Sequence, residues 1–187
     1  MLTLRPYQER CLSDLAKLVS YNPETGAFTW LPRPASMFTQ RCSWRTWNTR
    51  FAFKPAGRID SGGYVSIAFA GRKVKAHRLA FYMVHGHCPA LIDHINGNTS
   101  DNRIVNLRPA DCSQNNMNRA IGARNSSGAK GVSWHKKARK WQAHVRCRGT
   151  VHYLGLFADI NAAHAARAAK AAELHGQFNC NGVRHAA

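Results

Sequence analysis

The chain has 187 residues, with 27 Lys and Arg against 9 Asp and Glu, a formal charge of +18 and a pI of about 10.5. Such a balance favours a polyanionic partner, nucleic acid first and an acidic membrane second. No apolar run approaches the roughly 18 residues of a membrane span, and the opening MLTLRPYQER has no signal-peptide core, so the expected compartment is the cytoplasm. Cysteines at 11, 42, 88, 112, 147 and 180 form no C-x-x-C pair and read as free thiols.

Taken in order, Pro6 to Val19 is predicted helical, with Leu12, Leu15, Leu18 and Val19 at near-helical spacing. Asn22 to Gly26 is a turn leading into a short strand, Ala27 to Trp30. Leu31 to Phe53 has no clear period. It interleaves Arg33, Arg41, Arg45 and Arg50 with Trp44, Trp47 and Phe51, as either a basic loop lying on nucleic-acid backbone or a loop whose aromatics pack locally. Gly63 to Val74 is a predicted hairpin turning at Ala70 to Arg72. His77 to His85 follows as a helix, with Leu79, Tyr82 and Met83 on one side and Gly86 as its stop. His77 and Arg78 are candidates to face phosphate, although a structural histidine is the commoner occupant of a helix start. His85, His87 and Cys88 lie close together but read as a helix-end loop, and zinc is not assigned.

The densest chemistry runs from Leu91 to Arg119, LIDHINGNTSDNRIVNLRPADCSQNNMNR. Ile92 to His94 ends a strand, Asn96 to Asn98 turns the chain, and Ile104 to Leu107 returns until Pro109 breaks it. Asp111 and Gln114 have the form of a capping box, so a short helix begins near Ser113 and carries Asn115. This β-β-α order can gather Asp93, His94 and Asn115 around one point. A carboxylate and an amide oxygen suit Mg²⁺ or Mn²⁺ better than Zn²⁺. A histidine with its ordinary pKa of about 6.5 accepts a proton from water near neutral pH.

With DHINGN, DNR, NLR and QNNMN in that order, the stretch resembles the phage-type HNH endonucleases, whose core is a ββα-metal finger. The resemblance implies Asp93 as a metal-binding carboxylate and His94 as general base. It puts Asn106 on the middle Asn of the motif, holding the loop or the His ring. Asn115 falls on the last motif position, as a second metal ligand. YNPETGAFTW and AHRLAFYMVHG are similar to segments of the same family.

Beyond a Gly-, Ser- and Ala-rich linker at 120–129, residues 121–187 hold 11 basic and 2 acidic side chains, against 16 and 7 in residues 1–120. Arg119 and Arg124, at and within the linker, are placed to follow a DNA backbone. Three strands are expected, Gly131 to His135, Lys140 to Arg146 and His152 to Phe157, then a helix from about Ile160 to His175 capped by Asp159. Alternation puts Trp141, Ala143 and Val145 on a core face and Gln142, His144 and Arg146 on a polar one. Trp134 shares the parity of Val132 and is expected in the core. The segment resembles the plant ethylene-response-factor type DNA-binding domain, which implies that Lys130, Ser133, His135, His144, Arg146 and Tyr153 face DNA. Ser133 and His135 stand where plant members have arginines, and His144 where they have an acid, so their base preference does not transfer.

The expectation is therefore an α+β protein. A ββα-metal nuclease domain over 1–119 is followed by the linker and, over 130–187, by a small three-stranded antiparallel sheet packed on one helix. The function expected is a Mg²⁺- or Mn²⁺-dependent, homing-like DNA endonuclease. It would act on double-stranded DNA as a monomer, nick one strand, and work in a bacterial host cell if phage-encoded. The alternative is a sequence-specific DNA-binding protein with an inactive nuclease centre.

Overall fold

The computed structural model describes residues 6–119, 121–122 and 125–179. It is a mixed α/β structure that divides into two compact units, one up to Pro109 and the other from Ala110 onward. The composition boundary lies near residue 120, whereas the packing boundary assigns the helix that carries Asn115 to the second unit. No helix among the described residues is long and apolar enough to cross a membrane.

The first unit opens with α1 (Pro6–Ala16), whose Leu12 and Leu15 are buried. Val19, expected to end this helix, instead starts β1 (Val19–Tyr21), paired antiparallel with β2 (Phe28–Trp30). A β-branched residue paired across from Trp30 gains more from the ladder than from another helical turn. The turn between them is held by Asn22 Oδ1, which accepts from the N–H groups of Glu24 and Thr25.

The aperiodic stretch contains a helix, α2 (Arg41–Phe51). Trp44, Trp47 and Phe51 recur three and four residues apart, a helical stripe that the interleaved arginines hide. Asn48 and the Trp44 indole bind the Arg33 backbone at 2.7–3.0 Å, so the aromatics pack locally. The sheet β3 (Arg58–Ile59), β4 (Val65–Phe69) and β5 (Arg72–Lys75) follows in that spatial order. Its β4–β5 turn takes positive φ at Ala70 and Gly71, as a two-residue hairpin requires.

Then comes α3 (Ala76–His85), ended by Gly86 in the left-handed conformation. The last pair is β6 (Ile92–His94) with β7 (Leu107–Pro109). The return strand is shifted from the expected Ile104 to Leu107: Ile104–Asn106 forms a 3-10 turn, and Pro109, expected to break the strand, is its last residue, paired with Ile92. Leu15, Val19, Ile67 and Leu79 are the largest fully buried side chains of this unit.

The second unit holds α4 (Cys112–Asn118), β8 (Val132–His135), β9 (Lys140–Cys147), β10 (Thr150–Phe157) and α5 (Ile160–His175). The strands form one antiparallel sheet with β9 central. Ala143 at its centre and Ala163 on α5 are fully buried in a shared core. Asp159 caps α5 by accepting from the Ala162 N–H at 2.9 Å. Trp134 is 46% exposed, against expectation. Its parity is right, but it lies near the end of β8, where the Trp141 ring at 5.1 Å is its aromatic contact. Parity fixes a face, while burial also needs something to cover it. The five described cysteines are free.

Candidate active site

Asp93 and His94 are consecutive on β6, and both are buried. Successive strand residues point to opposite faces, so the carboxylate and the imidazole leave the strand on opposite sides. Register sets Asp93 directly across from Arg108, whose Nε donates to Asp93 Oδ2 at 2.8 Å while Nη2 stands 2.7 Å from the same oxygen in an ion pair. Arg108 stands in the NLR motif, and the register of the returning strand would have flagged it.

On the other side, the His94 ring meets the His77 ring edge-on at 5.0 Å and the Tyr64 ring at 6.0 Å. Burial pushes the His94 pKa down, while Asn102, Asp93 and Asp101 pull it back up. Asn102 Nδ2 donates to Ser100 O at 3.1 Å, which leaves its oxygen to favour a protonated His94 ring. His77 is buried, and its pKa falls to about 3, first through desolvation and then through the charges of His94, Arg78 and Lys75. It is thus a neutral packing partner of His94. The Arg78 guanidinium donates to the carbonyls of Ala90 and Pro89. Neither residue is placed as a surface phosphate contact.

The loop from Ile95 to Asp101 is built from side-chain hydrogen bonds. Asn96 and Asn98 each accept from the N–H two residues on, and Gly97 supplies a positive φ of 75°. Asn106 ties the loop at both ends: its Oδ1 accepts from Asn96 N–H, and its Nδ2 donates to Asp101 O, both at 2.9 Å. Asp101 takes Arg103 on both oxygens and the Asn96 amide at 2.8 Å. Its carboxyl is pulled down to about 2, chiefly by Arg103.

The YNPETG turn buttresses this loop, a role its sequence did not disclose. Tyr21 donates its hydroxyl to Asn102 O at 2.7 Å, and Ile104 N–H donates to Pro23 O at 3.1 Å. A Cβ at Gly26 would lie 2.6 Å from Arg103 N. Burial, then Asp101, pushes the Tyr21 hydroxyl to about 12.

Asn115 is half-buried on α4. That helix begins with the full capping box: Asp111 accepts from Gln114 N–H at 2.7 Å, and the Gln114 side chain accepts from Asp111 N–H at 2.8 Å. Among the described residues no group of three or more His, Cys, Asp or Glu side chains is arranged to hold a metal. Asp93 belongs to the first unit and Asn115 to the second; each by its own chemistry offers an oxygen donor of the kind that a hard divalent cation takes.

In the second unit, cross-strand pairing gathers five of the six sheet residues expected to meet DNA. Tyr153 pairs with His144, Ser133 with Gln142 and His135 with Lys140, and Arg146 lies on the same face two residues beyond His144. Tyr153 and Arg146 are exposed there. Lys130 is elsewhere: its ammonium donates to the carbonyls of Met117 and Arg119 at 2.7 and 2.6 Å, across the end of α4. Arg119 is exposed just after α4, and Arg124 lies outside the described residues.

The family model for HNH endonuclease matches residues 74–117, a span that includes α3, the β6–β7 pair, the loop between them and most of α4. Protein 3.8 of Escherichia phage T7 is 37% identical over 87 residues, which cover 46% of this chain and 71% of that protein. No solved structure matches the chain. The buried Asp-His strand, its asparagine-built loop and these two likenesses place the chain in the HNH endonuclease family, as a nuclease that hydrolyses phosphodiester bonds.

Proposed function

We propose that the chain is a divalent-metal-dependent DNA endonuclease with His94 as its general base, homing-like and cutting one strand per visit. The observation that carries this reading is the Asp93-His94 pair at the end of a buried strand inside the family-matched span. The imidazole is packed on His77, and the carboxylate is oriented by Arg108. His94 accepts a proton from the attacking water, a contribution of about 10²–10⁴ in rate. Water oxygen bonds to phosphorus as the bond to the leaving oxygen breaks. Asn106 keeps the 95–101 loop closed and so acts as a positioning residue. Asp93 and Asn115 would hold Mg²⁺ or Mn²⁺, which when bound supplies Lewis-acid stabilisation of charge on the phosphate. Double-stranded DNA is the substrate, and the outer face of the β8–β9–β10 sheet, with Arg119 and Arg124, binds it.

The test is a supercoiled-plasmid assay on the full chain. His94→Ala should lose at least about 100-fold in nicking rate while retaining the wild-type far-UV spectrum and DNA affinity, and EDTA should stop the wild type. Undiminished cutting by pure His94→Ala would remove it as the base. For the carboxylate, Asp93→Asn is preferred to Asp93→Ala. The alanine leaves a guanidinium that is only 12% exposed without its carboxylate, a loss of about 3–5 kcal/mol in buried pairs.

A further inference from the structure

Between α2 and the β3–β4–β5 sheet, the first unit has a groove of about 560 Å³, inside the ~300–1,000 Å³ range of ligand clefts. Trp30, Trp47 and Phe51 line it with rings, and Arg33, Arg58 and Lys73 line it with cations. The rings are mutually fixed: Trp30 meets Trp47 edge-on at 5.7 Å, and Phe51 lies 5.4 Å from Trp47. The Arg33 guanidinium sits 3.9 Å over the Trp47 ring. One carboxylate lines the groove, Asp60. It is engaged by Lys75 and Ser66, which hold its pKa well below the usual carboxylate range. The groove is therefore cationic and aromatic together.

A second observation comes from the same edge. Phe53 is 75% exposed and has φ of +62°, a backbone conformation that bulky residues rarely adopt. It is held there by its own N–H to Trp30 O at 2.8 Å and by Trp30 N–H to Lys54 O at 3.0 Å. The backbone of a groove residue thus fixes an aromatic ring in solvent, flanked by exposed Arg50 and Lys54. Ile59, also lining the groove, is 67% exposed.

Cations that follow a phosphate backbone, beside rings that stack on bases, are the chemistry of unpaired nucleic acid. A paired base offers its faces to its neighbours in the stack, so only an extruded or unpaired one can meet a protein ring. We propose that this groove takes an unpaired nucleotide of the DNA substrate. Its base lies against the Phe51 ring, beside the Arg33 guanidinium that covers Trp47, and its flanking phosphates lie on Arg58 and Lys73. Phe53 is the apolar wedge that keeps the adjoining base step open. This inference rests on the reading of the chain as a DNA nuclease.

The experiment measures binding of the full chain to a labelled duplex, to the same duplex with one bulged thymidine, and to the single strand. Wild type should prefer the bulged duplex and the single strand to the paired one. Arg58→Ala and Lys73→Ala, both at exposed positions, should each lower the salt slope for single strands by about 0.7. Phe53→Ala should cost roughly tenfold on the bulged duplex. A 5-iodouracil at the bulge should crosslink within residues 30–73. Wild-type preference in all three variants, or crosslinks that fall only outside that span, would overturn the proposal. His94→Ala separates the two readings. If it stops nicking while the groove variants bind like wild type, the groove falls and the nuclease stands. If it cuts normally yet the bulge preference depends on Phe53, the base assignment falls and the groove stands.

Discussion

At the residue scale, Asp101 shows how a side chain far from any bond-breaking role shapes the site. Its carboxylate gathers Arg103 and the Asn96 amide, and its carbonyl receives Asn106. The folded pKa of about 2 lies below the ordinary value of about 3.9. The unfolded chain therefore binds the proton more readily, and the stabilisation is present above about pH 4 and is lost as pH falls towards 2. Arg103 is about half exposed, so solvent screens the pair, and Asp101→Asn should cost about 1 kcal/mol at pH 7. Urea unfolding at pH 7 and pH 3 should show that difference shrinking at the lower pH; an equal difference at both would refute the charge-based account. Asn106 illustrates what sequence leaves open. Loop and imidazole were both plausible partners for its amide, and the described bonds go to the loop backbone.

At the element scale, α4 is a seven-residue helix, too short to be stable by propensity alone. Its start depends on the Asp111–Gln114 capping box, read directly from D-x-x-Q because capping is local chemistry. Asp111→Ala should lower stability by about 1 kcal/mol. It should also reduce nicking more than DNA affinity, since the sheet is untouched; an affinity loss matching the activity loss would contradict that division. The return strand and α2 went differently. Ile104 to Leu107 has the composition of a strand, but Asn106 N–H closes back on Arg103 O and tightens all of it but Leu107 into a turn. In α2 the apolar stripe is real, yet Asn48 and Trp44 fix it by binding Arg33, 15 and 11 residues earlier. No local window contains such partners.

At the scale of the whole molecule, the charge of +18 predicts DNA affinity that falls steeply with salt. If the β8–β9–β10 face makes the contact, Arg146→Ala should lower the duplex salt slope by about 0.9, measured by anisotropy between 50 and 200 mM salt; an unchanged slope would take that face out of the account. By itself the sequence determined the charge, which is a sum over residues, and the capped helices and the alternation of β9, which depend on residues within a few positions of one another. Tertiary structure decided what depends on distant neighbours. It paired Asp93 with Arg108, set His77 edge-on to His94, and braced the end of the 95–101 loop with Tyr21 and Gly26. It also left Trp134 and Phe53 in solvent and redirected Lys130 to the carbonyls ending α4. Local pattern fixes which face a side chain takes, and only the folded chain fixes what stands opposite it.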